Sequence, residues 1–256
     1  MLLGTTVGKD ENSNVIKLVK FFKRFLEDPD WAIGEIKEFL TGRTGLKTGN
    51  EDIFRGQLEH LVKDGSPPKT VYDTICSTVF HGKGTIEVRE LKNAPGELGI
   101  RVSGARGTDY FAVINIGEVS DFRTRLEEGA KLTAEPDRIS ASHFHKSVIE
   151  APDSPVYMLI GAKKFIEGWS CWRVSSMGLL NVGKGIGSQI IQLFGRGVRL
   201  KGRDMSLKRS SEHPDIQHPV GIETLETLSI YGWNADYLKK FRDTIDVEDV
   251  SRFVAS

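Results

Sequence analysis

Three short, continuous apolar runs, each closed by glycine, constrain this chain most. Tyr110-Phe111-Ala112-Val113-Ile114-Asn115-Ile116 precedes Gly117, and Val156-Tyr157-Met158-Leu159-Ile160 precedes Gly161. Met177-Gly178-Leu179-Leu180-Asn181-Val182 precedes the glycine-rich stretch Gly183 to Ser188. Runs of strand length without polar alternation fit strands buried on both faces of a parallel sheet. Helical patterns follow them at about Ser120 to Glu128, Ser140 to Ile149 and Gln189 to Leu200. A late strand at Leu225 to Ile230 and a helix at Ala235 to Phe241 complete the series. Strands alternating with helices from about residue 108 onward predict an α/β fold, a parallel sheet flanked by helices. Such sheets bind ligands at the carboxyl ends of their strands. The loops after Ile116, Ile160 and Val182 are therefore the expected site.

The first hundred residues read differently. Met1 to Val7 has the pattern of a buried strand, so the chain is expected to be a piece of a longer protein. Val15, Ile16, Leu18, Val19, Phe22, Phe25 and Leu26 follow helical spacing with lysines between them. Asp28-Pro29-Asp30 ends that helix, Trp31 to Leu40 forms a second, and Gly42 to Gly49 is a loop. Ile53 to Val62 and Val71 to Phe80 give two further helical patterns. Thr85 to Leu91 and Leu98 to Val102 alternate around Asn93-Ala94-Pro95-Gly96, which predicts a β-hairpin.

Composition excludes several classes. The formal net charge is +0, so attraction to polyanions has to come from local patches. Two cysteines, Cys76 and Cys171, make neither a disulfide framework nor a zinc quartet and suit a reducing cytoplasm. No apolar run reaches the roughly 20 residues of a membrane span.

The chemistry is concentrated between Phe165 and Gly202. Gln192, Gly195, Arg196 and Arg199 stand at Q-x-x-G-R-x-x-R spacing, which puts all four on one helix face. Arginine carries a permanent charge on a fork that matches phosphate, and glycine admits close approach. Interrupting glycines cost a helix about 1 kcal/mol each relative to alanine, so a merely solvated basic face explains this pattern poorly. Lys201, Arg203, Lys208 and Arg209 extend the basic run, as a nucleic-acid backbone would need.

The elements that hold a nucleotide are missing. Gly183-Lys184-Gly185 lacks the Ser or Thr that a phosphate-binding loop places after its lysine, and no acidic box follows a strand. A G-x-G-x-x-G dinucleotide pattern is also absent. His143 and His145 fall on different sides of an expected helix, and His213 and His218 have no evident third metal ligand. No metal site is expected. Asp30 with Glu35 and Lys37, or Glu90 with Lys92, mimic the acidic-plus-lysine signature of metal-dependent nucleases, but as isolated matches.

At Lys164-Phe165-Ile166-Glu167-Gly168-Trp169-Ser170 and Gln192 to Arg199 the chain resembles motifs V and VI of superfamily-two helicases, in the branch of the type III restriction enzyme Res subunit. Phe111 to Ser120 is similar to motif IV. The resemblance implies a RecA-like sheet: the second, C-terminal RecA-like domain over 1–256. Residues 8–107 would be helices plus a β-hairpin insertion and 108–256 the core, with the first RecA-like domain absent. It implies that Arg196 and Arg199 reach the γ-phosphate of ATP across a cleft, at least one as an arginine finger, and that Gln192 positions the phosphate or the attacking water. Gly168, Ser170 and Gly195 would lie at the nucleotide, although the family usually has aspartate where Ser170 stands. Gly117, Trp169, Arg173 and Lys184 would contact nucleic acid. ATP and Mg2+ would belong to the complete enzyme and be held by the missing domain. DNA, that domain and a methylation or specificity subunit would be the partners, in the cytoplasm. Two rival readings remain: a non-catalytic nucleic-acid-binding module and a metal-dependent nuclease.

Overall fold

The computed structural model describes residues 2–4, 14–56, 58–104, 109–117, 119–137, 151, 153–161, 171–180, 194–195 and 202–233. These residues include ten strands and six α-helices. They are β1 (Leu2–Gly4), α1 (Asn14–Glu27), α2 (Pro29–Leu40), β2 (Lys47–Thr48), β3 (Glu51–Asp52), α3 (Glu59–Lys63) and α4 (Pro68–Thr78). Then come β4 (Ile86–Glu90), β5 (Glu97–Val102), β6 (Ala112–Asn115), α5 (Val119–Ala130) and β7 (Ala134–Pro136). The last are β8 (Met158–Gly161), β9 (Ser176–Leu180), α6 (Ile222–Leu225) and β10 (Ser229–Trp233).

Eight of the strands form one mixed sheet in the order β10-β9-β1-β8-β6-β5-β4-β7. The five from β10 to β6 run parallel. β5 is antiparallel to both β6 and β4, and β7 is parallel to β4. Only β5 is therefore reversed. The opening strand, β1, is central, paired with β8 on one side and β9 on the other. The chain leaves β1 toward β4, β5 and β6, whereas it passes from β8 across β1 to β9. The crevice between β1 and β8, at their carboxyl ends, is thus the topological switch point where open α/β sheets take their ligands.

Period-two alternation sorts the hairpin residues. Ile86, Val88, Leu98, Ile100 and Val102 are buried in the main core, with Ile16, Val19, Phe22 and Phe25 of α1 and Phe122 and Leu126 of α5. Phe22 meets Phe111 edge-on at 5.7 Å, and Phe80 meets Phe111 at 4.8 Å. On the opposite face of the hairpin Glu87, Arg89 and Arg101 form an ion cluster. The hairpin is thus continuous with the main sheet.

Asp28 accepts a hydrogen bond from the Trp31 N–H at 3.2 Å, and Pro29 follows it in the first turn of α2. This is the usual signature of a helix start. The helix expected over Ile53 to Val62 is cut back to Glu59–Lys63. Burial pulls the Asp52 carboxyl up, but hydrogen bonds from the Phe54 N–H, the Thr44 hydroxyl and the Gly45 N–H outweigh it and hold the group below its ordinary value. Those bonds fix a turn in place of a helix start. Phe54 then packs on Phe39 at 4.3 Å and on Tyr231 at 5.7 Å. The loop expected at Gly42 to Gly49 contains β2, half of a small hairpin with β3. The late strand lies at Ser229–Trp233, after a helical turn at Ile222–Leu225. The helices expected at Ser140 to Ile149 and Ala235 to Phe241 lie outside the described residues, as does all of Gln189 to Leu200 except Phe194 and Gly195.

Candidate functional site

Strand register brings the expected loops to one edge. Asn115 ends β6 opposite Gly161, the last residue of β8. Gly161 is also paired with Leu3 of β1, and Gly4 with Leu180 at the end of β9. The carboxyl ends of four adjacent parallel strands therefore stand side by side.

Gly117 adopts φ +77°, a left-handed conformation that favours glycine. Gly96, at φ +80°, lies against it: a Cβ on Gly96 would stand 2.8 Å from the Gly117 carbonyl oxygen and 2.9 Å from its Cα. The Ile116 N–H donates to the Gly96 carbonyl at 3.0 Å. The hairpin turn thus buttresses the loop after β6. Because β5 runs backward, its first residue, Glu97, reaches the same edge. It is fully buried and lies opposite Asn115. A buried glutamate at the candidate edge is not evident in the sequence, because Glu97 follows Pro95-Gly96 and looks like part of a polar turn.

Arg173 is placed elsewhere. It precedes β9, at the amino end of the strand, whereas Gly117 follows the carboxyl end of the parallel β6. The two residues expected to touch one nucleic-acid path sit at opposite ends of the sheet. The Arg173 guanidinium lies 5.4 Å from the centre of the Tyr157 ring.

Phe194 and Gly195 are helical, with Phe194 buried and Gly195 exposed. A Cβ on Gly195 would meet no described atom within 4 Å, so the described packing does not demand glycine there. Gln192, Arg196, Arg199, Gly168, Trp169, Ser170 and Lys184 lie outside the described residues. Gly178 stands six residues before Lys184, the spacing of the first glycine of a phosphate-binding loop. It lies inside β9, however, paired with Leu2 and Tyr231, and not in a loop.

The nuclease-like residues do not converge. Asp30, Glu35 and Lys37 belong to α2, while Glu90 sits on β4 in an ion pair with Arg123. Among the described residues no group of three His, Cys, Asp or Glu could hold a metal ion. His213 Nε2 lies 3.2 Å from the Ser206 hydroxyl, and His218 Nε2–H donates to the His213 carbonyl at 3.1 Å, so both rings bind their own loop. Cys76 and Cys171 are free and buried. Burial pushes the Cys76 thiol up, away from nucleophilic thiolate. No described helix is long and apolar enough to cross a membrane.

Comparison of the chain with protein-family models, with curated proteins and with solved structures found no match.

Proposed function

We propose that this chain is the second RecA-like domain of an ATP-dependent DNA helicase or translocase of the type III restriction enzyme Res branch. It would supply arginines to an ATP site completed by another domain. One observation carries the reading: β8 and β9, the strands that lead into the motif V-like and motif VI-like segments, end at the same carboxyl edge, beside the β1–β8 switch point and Gly117. A parallel sheet with its switch point at that edge is where a phosphate-reading surface belongs.

In this reading Arg196 and Arg199 contribute charge to a γ-phosphate held by the partner domain, and Gln192 orients the phosphate or the attacking water. The partner domain brings ATP and Mg2+, and DNA runs along the face carrying Gly117. The test is turnover. The isolated chain should hydrolyse no ATP, and the complete enzyme with Arg199→Ala should lose hydrolysis by 10³-fold or more, in the range of arginine-finger effects, while keeping most of its ATP affinity. ATP turnover by the isolated chain, or undiminished turnover by the Arg199→Ala enzyme, would overturn it.

A further inference from the structure

A second candidate site lies at the amino ends of β8 and β9, across the sheet from the motif-bearing edge. A cavity of about 530 Å3 opens there, within the size range of small-molecule sites. Val79, Val156, Leu159 and Cys171 supply apolar wall. Its polar side chains are Tyr157, Arg173, Ser175 and Ser176, and no carboxylate of a described residue lines it. Arg173 forms no ion pair with a described residue; its guanidinium lies over the Tyr157 ring, and its backbone N–H donates to Cys171 Sγ at 3.4 Å. Tyr157 is 46% exposed. His81 lies beside this ring: in the left-handed region at φ +61°, its Nε2–H donates to the Pro155 carbonyl at 2.7 Å and its ring lies 5.8 Å from that of Tyr157. A half-exposed aromatic ring, a guanidinium with no carboxylate partner among the described residues and two exposed serines therefore line one cavity.

These groups fit one ligand chemistry, a flat heterocycle bearing an anionic group. The ring would pack on Tyr157 and the apolar wall, and the anion would meet Arg173 and the serine hydroxyls, as in stacking sites that bind nucleotides without reading sequence. We propose that this cavity is a nucleotide-binding subsite, separate from the ATP edge. Two sources share the chemistry: a free mononucleotide and one nucleotide of a single strand. The inference does not rest on the helicase reading, which ATP turnover tests on its own.

Titration of the full chain with AMP and with a fluorescent twelve-residue oligothymidylate tests the proposal. Saturable binding of AMP assigns the free nucleotide, and binding of the oligonucleotide alone assigns the strand. In either case Tyr157→Leu should weaken binding at least fivefold, Tyr157→Phe should keep it, and Arg173→Gln should weaken it and flatten its salt dependence. Ribose 5-phosphate, which lacks the ring, should not compete. Comparison of the parent with Tyr157→Phe and Arg173→Gln stays decisive if the leucine variant fails to fold. Absence of saturable binding with both probes, or binding that neither Tyr157→Leu nor Arg173→Gln weakens, would overturn the subsite.

Discussion

Glu87 accepts hydrogen bonds from the guanidinium groups of Arg89 and Arg101 at 2.8 and 2.9 Å, and from the Ser103 hydroxyl at 2.9 Å. Burial raises its pKa, but these bonds outweigh burial and hold the carboxyl at about 2. A depressed carboxylate stabilises the fold fully above its unfolded value of 4.5. That contribution is lost as pH falls from there through about 2. Glu87→Gln should cost about 1.5 kcal/mol at pH 7, the low end for hydrogen bonds to charged groups because both arginines are partly solvated. It should also flatten the stability profile between pH 4.5 and 2, which urea melts at several pH values would show. On the same face of the hairpin Gly99 is fixed by its neighbour: a Cβ there would stand 2.5 Å from Cδ1 of Tyr110. Tyr110 cannot retreat, being fully buried with its hydroxyl donating to Asp137. Gly99→Ala should therefore cost about 1–3 kcal/mol by overpacking, read as a lower urea midpoint at unchanged slope. Neither residue was legible as structural in the sequence, since a glycine inside a strand and alternating charges say nothing of which side chain lies across the pair.

Local elements were legible where their signals are local. The apolar spacing of α1 is intrinsic to a short window, and that helix forms where the spacing places it, whereas Asp28-Pro29-Asp30, expected only to end α1, also starts α2 two residues ahead of the expected Trp31. Ile53 to Val62 misled because its apolar spacing serves tertiary contacts: Phe54 is drawn to Phe39 and Tyr231, and Asp52 spends its carboxylate on a turn. The three-residue β7 escaped notice because Ala134-Glu135-Pro136 has no strand pattern and is held by pairing with Val88 to Glu90. Among the elements, α1 does most to clamp helices to sheet. Phe22 is 4% exposed and touches Phe111 on the sheet and Phe80 beyond α4. Phe22→Ala should cost about 3–5 kcal/mol, a large part of the stability of a domain this size, and should be visible as a drop in thermal midpoint. Phe21→Ala, at a 47% exposed neighbour, should cost much less in the same melt.

At the scale of the molecule the sequence specified the α/β class but not the strand order, because order depends on pairings between segments far apart in the chain. Strands at β1, β6, β8 and β9 follow from the apolar runs, but the position of β1 between β8 and β9 does not. That placement aligns the carboxyl ends of the parallel strands and makes the candidate edge continuous. It also means that a three-residue strand bridges two halves of the sheet: β9 and β10 on one side, and β8 to β7 on the other. Leu3 is paired with Gly161 in one neighbour and Leu179 in the other. Proline there would remove an N–H and clash in a strand with no free side, a substitution sheets tolerate at edges but not at the centre. Leu3→Pro should thus uncouple β9 and β10 from the rest of the sheet. Hydrogen exchange should then show amides of β9 and β10 losing protection while those of β4 and β5, anchored on α1, keep theirs. Uniform loss across both halves would show instead that the sheet unfolds as one unit, and full protection throughout would show that β1 does not bridge it.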